Sequence, residues 1–202
     1  MSSAAVARQG VLADALVPST ALANTALVVG GAGLTAVMAQ LAVPLWPVPI
    51  TGQTLAVLLV GSTLGPVRGM LSMALYWVAG VAGMPVFSDA SSGLAAAVGP
   101  TGGYLVGFIA AAGLTGWLAK RNWDKKFLGA TVSFLAGTVI TFVFGMAWLA
   151  ISLGADLQQT LEWGLYPFII GGIVKSLIAA AAMPAAWKLA ARLPKNFGDP
   201  RA

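Results

Sequence analysis

Along the chain, apolar runs alternate with short connections rich in proline, glycine and charge. The runs lie at 20–43, 53–64, 69–83, 102–119, 127–153 and 165–187. A transmembrane helix needs about 20 apolar residues, so the second and third runs are short and the others suffice. Pro44, Pro47 and Pro49 end the first run, because each proline lacks a donor and restricts the residue before it. Gly65-Pro-Val-Arg-Gly69 is a tight turn, and Met84 to Thr101 is the longest polar interruption. The pattern predicts an all-α integral membrane protein with six transmembrane helices in a single membrane domain, 1–202. Residues 1–18 and 188–202 are expected to be tails.

Charge sharpens this picture. Only 8% of residues are charged and 58% are hydrophobic, against roughly 25% charged in soluble domains. Six crossings put both termini on one side. In that arrangement Arg8, Arg68, Lys120, Arg121, Lys125, Lys126, Lys188, Arg192, Lys195 and Arg201 all share that side, which the positive-inside rule makes cytoplasmic. The opposite connections, 43–52, 84–101 and 154–165, carry Asp89, Asp156 and Glu162 and no basic residue. The net charge of +5 therefore follows membrane topology and points to the bilayer, not to nucleic acid.

The one basic residue outside this pattern is Lys175, inside the last run. A buried intramembrane lysine costs on the order of 2.5–3.5 kcal/mol on insertion scales, so it faces a partner, a cavity or an anionic ligand. It stands about 15 Å from the outer end of its run by the helical rise. Gly171 and Gly172 share its face and leave room beside the ammonium. A cavity open to the outside and floored by this ammonium suits a carboxylate. Phe87, Tyr76, Trp148 and Phe168 are available to hold an apolar body. Thr51 and Gln53 stand at the mouth of such a cavity or cap the following helix. Ala32-x-x-x-Ala36 is a small-residue stripe of the kind that lets another helix approach closely.

Other chemistries have no residues to work with. The chain has no Cys and no His, which removes thiolate chemistry, imidazole bases and the usual zinc ligands, so no metal or cofactor is expected. None of the six acidic residues falls inside a run, so there is no carboxylate relay for ion-driven transport. There is no paired acid and base for an enzyme, and no phosphate-binding Gly-x-x-x-x-Gly-Lys-Ser/Thr loop. Three readings remain: a capture subunit energised by another protein, a self-sufficient permease, or a membrane interaction protein with a structural lysine.

Four segments taken in order resemble the BioY family, the biotin-binding S components of energy-coupling factor transporters. They are Val48-Pro-Ile-Thr-Gly-Gln-Thr-Leu-Ala-Val-Leu58, Gly83-Met-Pro-Val-Phe87, Gly99-Pro-Thr-Gly-Gly-Tyr104 and Pro167-Phe-Ile-Ile-Gly-Gly-Ile-Val-Lys175. The resemblance covers about Ala26 to Ala182. It implies a multi-pass protein of a prokaryotic plasma membrane that captures biotin from outside and docks on a transmembrane coupling subunit with paired ATPases. It further implies that Lys175 meets the biotin carboxylate, and that Ser88, Asp89 and Tyr104 belong to the ureido-contacting region. Ala32 and Ala36 would face the coupling subunit. One departure stands out: many relatives carry an Asp three residues before the lysine, and this chain has Gly172, leaving Asp89 or a backbone group as the ureido partner.

Overall fold

A computed structural model describes residues 10–192. Arg8, Lys195 and Arg201, with half of the expected N-terminal tail and most of the C-terminal one, lie outside the described residues. The chain folds into helices α1 (Leu12–Leu16), α2 (Ala21–Ala39), α3 (Gln53–Leu64), α4 (Pro66–Val81), α5 (Gly93–Ala97), α6 (Gly102–Lys120), α7 (Phe127–Leu153), α8 (Leu157–Gly164) and α9 (Ile169–Ala190). A two-stranded antiparallel ribbon, β1 (Ala42–Val43) with β2 (Ile50–Thr51), closes the proline-rich connection after α2. Among the described residues, four helical stretches are long and apolar enough to cross a membrane: α2, α6, α7, and α8 with α9 taken together.

The boundaries follow local chemistry. Thr20 caps α2 by accepting from the Ala23 amide at 3.2 Å. Pro66 opens α4 at its first turn, where a missing amide proton costs nothing. Asp156 caps α8 by accepting from the Gln159 amide at 2.8 Å, and the Gln159 side chain returns a bond to the Asp156 amide at 3.2 Å.

Helix α6 is the centre of the bundle, packed against α3, α4 and α7. Its buried face is largely small residues, including Gly103, Gly107, Ala111, Ala112 and Gly116, so neighbouring backbones come close. The outer surface is apolar instead of polar: Val139 and Val143 on α7 and Ile170, Ile173, Val174 and Ile178 on α9 are all exposed. A surface of that composition is matched to lipid.

Three expectations change. Residues 11–13, assigned to a tail, are buried: Val11 joins the core with Leu64 and Ala119, and Leu12 packs with Phe134 and Met183. The apolar Val11-Leu-Ala13 triplet was too short to stand out beside the long runs. The polar interruption at 84–101 contains a 3₁₀ turn at Ser88–Ala90 and the helix α5. The run at 165–187 divides into a 3₁₀ turn at Tyr166–Phe168, broken by Pro167, and α9, which continues through Pro184 to Ala190.

Contacts gather the basic connections at one end of the bundle. The expected turn at 65–69 shrinks to Gly65, because α4 begins at Pro66; Arg68, in the first turn of α4, forms an ion pair with Asp14 and donates to Asn24 Oδ1 at 3.1 Å, joining α4 to α1 and α2. Trp187 Nε1 donates to Asp124 Oδ2 at 2.7 Å, and Lys125 lies 4.3 Å over the Trp187 ring. The end of α9 is thereby fixed to the α6–α7 connection.

Candidate functional site

At the other end, the proline-rich ribbon, the 84–101 connection and helices α3, α6, α7 and α9 enclose a cavity of about 300 Å³. Its walls include Lys175, Asp89, Ser88, Tyr104, Thr51, Gln53, Phe87 and Gly172, so residues spread over 124 positions meet in one place. Thr54, Thr138, Phe108, Phe142 and Phe168 complete much of the lining.

Lys175 reaches the cavity from α9. α9 begins at Ile169, after the turn at Tyr166–Phe168, so the lysine lies six residues, about 9 Å, along the helix from its start. Its Nζ donates to the Thr51 carbonyl and to Thr54 Oγ1, the latter at 3.3 Å. The β1–β2 ribbon holds that carbonyl, with Thr51 paired to Ala42 and the Gly52 amide bonded to Leu41 O at 2.9 Å. An ammonium has three protons, so two neutral acceptors orient the group and leave one proton and the full charge for a guest. The charge has no carboxylate neutralising it among the described residues.

The polar residues divide into those with hydrogen bonds to give and those already committed. Gln53 is buried; its Oε1 accepts from Thr51 Oγ1 at 2.7 Å and its Nε2 donates to Tyr76 Oη at 2.6 Å. Tyr76 in turn donates to Val86 O at 3.0 Å. Tyr76 therefore supports the wall from behind and does not line it. Tyr104 does line it, but its hydroxyl donates to Gly164 O at 2.8 Å and its ring packs edge-on against Phe142, so it presents a ring and not a free donor. Ser88 is the opposite case: its Oγ is buried without a hydrogen-bond partner among the described residues. Asp89 is exposed at the rim.

The apolar side is built from Phe87, Phe108, Phe142 and Phe168. Phe87 is seated against Gly80, where a Cβ would come within 2.1 Å of the ring, so only glycine fits behind it. Trp148, expected as a possible wall, instead donates to Gly99 O at 2.9 Å and ties α7 to the connection before α6. Gly172 lines the cavity, and a Cβ there would meet Thr138 Cγ2 at 3.3 Å and Phe142 Cε2 at 3.6 Å. Gly171 is not part of the lining. Thr54 and Phe142 were missed in the sequence. Thr54 follows Gln53 by one residue, and helical spacing from Gln53 gives no reason to prefer it.

Ala32 and Ala36 sit differently from expectation. Ala32 is 8% exposed and belongs to the chain's own core, and Ala36 packs against that core. The α2 face left outward carries Gly30 and Gly33, where nothing lies within 4 Å of an added Cβ. The stripe was visible in the sequence, but two overlapping small-residue registers, 32/36 and 30/33, give no sign of which faces inward.

The comparisons with known proteins agree with one another. The family model described as BioY family matches residues 10–192. The chain belongs to the BioY family. Over 160 residues it is 34% identical to the biotin transporter BioY2 of Lactococcus lactis subsp. cremoris, covering 79% of this chain and 87% of the relative. It is 38% identical over 146 residues to a probable biotin transporter BioY of Pyrococcus horikoshii, covering 72% and 85%. It is also 36% identical over 156 residues to the biotin transporter BioY of Thermotoga maritima, covering 77% and 86%. The fold is that of a crystal structure of the S-component for biotin from an ECF-type ABC transporter, with a TM-score of 0.72 at 23% identity over 83% of this chain and 92% of that one. As a member of the BioY family, the chain is a multi-pass membrane transport protein and not an enzyme.

Proposed function

We propose that the chain is the substrate-capture subunit of a biotin uptake transporter. The observation that carries this reading is the Lys175 ammonium held by neutral acceptors in a cavity that also presents the rings of Phe87, Tyr104, Phe108, Phe142 and Phe168. Biotin enters from outside with its carboxylate toward Lys175 and its fused ring against Phe87, Phe142 and Phe168. Ser88 Oγ, which has no partner among the described residues, and the Asp89 carboxylate serve the ureido group from the rim. Gly172 contributes space there and no carboxylate.

In the membrane, all six runs cross, with α3 and α4 spanning about 18 Å and 24 Å and their connections completing the path. The end holding Arg68, Lys120, Arg121, Lys125, Lys126, Lys188 and Arg192 is cytoplasmic, and the cavity end is outside. Energy comes from a transmembrane coupling subunit with paired ATPases; in support, the protein of like fold is itself the S-component of an ECF-type ABC transporter. The outward glycine face of α2 is the surface offered to the coupling subunit, in place of Ala32 and Ala36. The absence of acidic residues inside the runs argues against a self-sufficient ion-driven permease.

Biotin binding to the purified protein and to Lys175→Ala tests the reading. Removal of a charge-assisted hydrogen bond costs about 1.5–3 kcal/mol, or roughly 10- to 150-fold in affinity. Equal affinities would remove the lysine from the mechanism, and no binding by the wild type would remove biotin.

A further inference from the structure

Gln40, immediately after α2, takes no part in the cavity lining, yet both edges of its amide are engaged at the cavity wall. Its Nε2 donates to Phe87 O at 3.0 Å and to Ala36 O at 3.1 Å, and its Oε1 accepts from the Ala90 amide at 3.1 Å. Phe87 and Ala90 bracket Ser88 and Asp89, the rim residues of the cavity.

The bracketed turn is strained. Asp89 and Ala90 have φ of 55° and 53°, in the left-handed region that side chains disfavour. Aspartate visits this region through local hydrogen bonding, but alanine has no polar side chain to help it. Such a conformation persists only where surrounding contacts impose it. Within the turn, Ser91 Oγ and Ser91 N both donate to Ser88 O, at 2.7 and 3.1 Å, and Phe87 N donates to Ser91 O at 3.1 Å. None of these engages the amide of Ala90. Gln40 does, from a helix 50 positions away in the chain.

We propose that Gln40 is a positioning residue whose amide clasps the Phe87–Ala90 wall to the end of α2 and so sets how fast a captured ligand leaves. The proposal rests on the biotin-capture reading for its ligand, while the clasp itself is a property of the free protein. Its chemistry is a two-point match: a donor facing one carbonyl and an acceptor facing one amide, which a primary carboxamide supplies and neither a methyl thioether nor a carboxylate does.

The test compares wild type with Gln40→Met, which keeps the length and loses all three bonds, and Gln40→Glu, which keeps the acceptor and loses the donor. Two readouts are taken: hydrogen exchange at the Phe87–Ser91 amides without ligand, and the association and dissociation rates of biotin. Gln40→Met is expected to lose protection at Ala90 and to release biotin about tenfold faster with association no slower, the size of one or two net hydrogen bonds. Gln40→Glu is expected to retain protection at Ala90 and to fall between the two in release rate. Unchanged Ala90 exchange in Gln40→Met overturns the clasp. Weakened binding through slower association, with dissociation unchanged, overturns the rate-setting role. If Gln40→Met does not fold, wild-type release by Gln40→Glu overturns the proposal and an intermediate rate supports it. Should wild type bind no biotin, the capture reading fails alone, and Ala90 exchange still decides the clasp.

Discussion

Replacing Tyr76 by Phe removes one oxygen from the wall behind the cavity and nothing else. That oxygen accepts from Gln53 Nε2 at 2.6 Å and donates to Val86 O at 3.0 Å. Tyr76 is 2% exposed and Gln53 6%, so water does not readily replace the lost partner at Gln53. A buried group left without a partner costs about 1–3 kcal/mol, and the Gln53 amide is such a group in this variant. The ring itself stays packed edge-on against Phe87 at 5.5 Å, so the loss is polar and not volumetric. For a chain of this size, that cost lowers Tm by roughly 2–4 °C per kcal/mol. Thermal unfolding in detergent reads the stability term, and biotin affinity reads the wall, because Gln53 also fixes Thr51, whose carbonyl orients Lys175. Tyr76→Phe is expected to lower both Tm and affinity, whereas Tyr76→Leu adds a packing loss. A Tyr76→Phe protein that melts and binds as wild type would refute the chain of bonds from Val86 through Gln53 to the site.

Asp124 gives a pH prediction at the opposite end. Burial raises its carboxyl above the ordinary value, opposed by the Trp187 hydrogen bond. Because the folded state holds the proton more tightly than the unfolded one, this group's contribution to stability is greatest below the unfolded value and declines as pH rises through the folded one. Asp124→Asn is therefore expected to melt higher than wild type at pH 7, with the difference shrinking toward pH 4; a difference independent of pH would contradict this. For the partner surface, Gly30→Trp or Gly33→Trp on the outward face of α2 is expected to leave biotin binding intact and block co-purification with a coupling subunit. Normal co-purification would exclude that face.

The sequence revealed most where the physics is one-dimensional. The charge-free runs near 53–64 and 127–153 overlie helices α3 and α7, since an apolar stretch ends where a proline, glycine or charge begins. Lys175 was legible because a lone charge in such a run has few explanations. What stayed hidden depends on facing. The inward turn of Ala32, the burial of Val11 and the commitment of Tyr104 to Gly164 are decided by partners distant in the chain. Helices apolar all round give no stripe from which to read orientation. Gln40 passed unnoticed for the same reason: an amide at a helix end is an ordinary cap until the loop it holds is seen.

The central claim is that the Lys175 charge recognises the carboxylate of the guest. A binding cycle isolates it: affinities of biotin and of biotin amide, each measured with wild type and with Lys175→Met. The account predicts that wild type prefers the acid by roughly 10- to 150-fold and that Lys175→Met shows nearly no preference. The same preference in both proteins would contradict it.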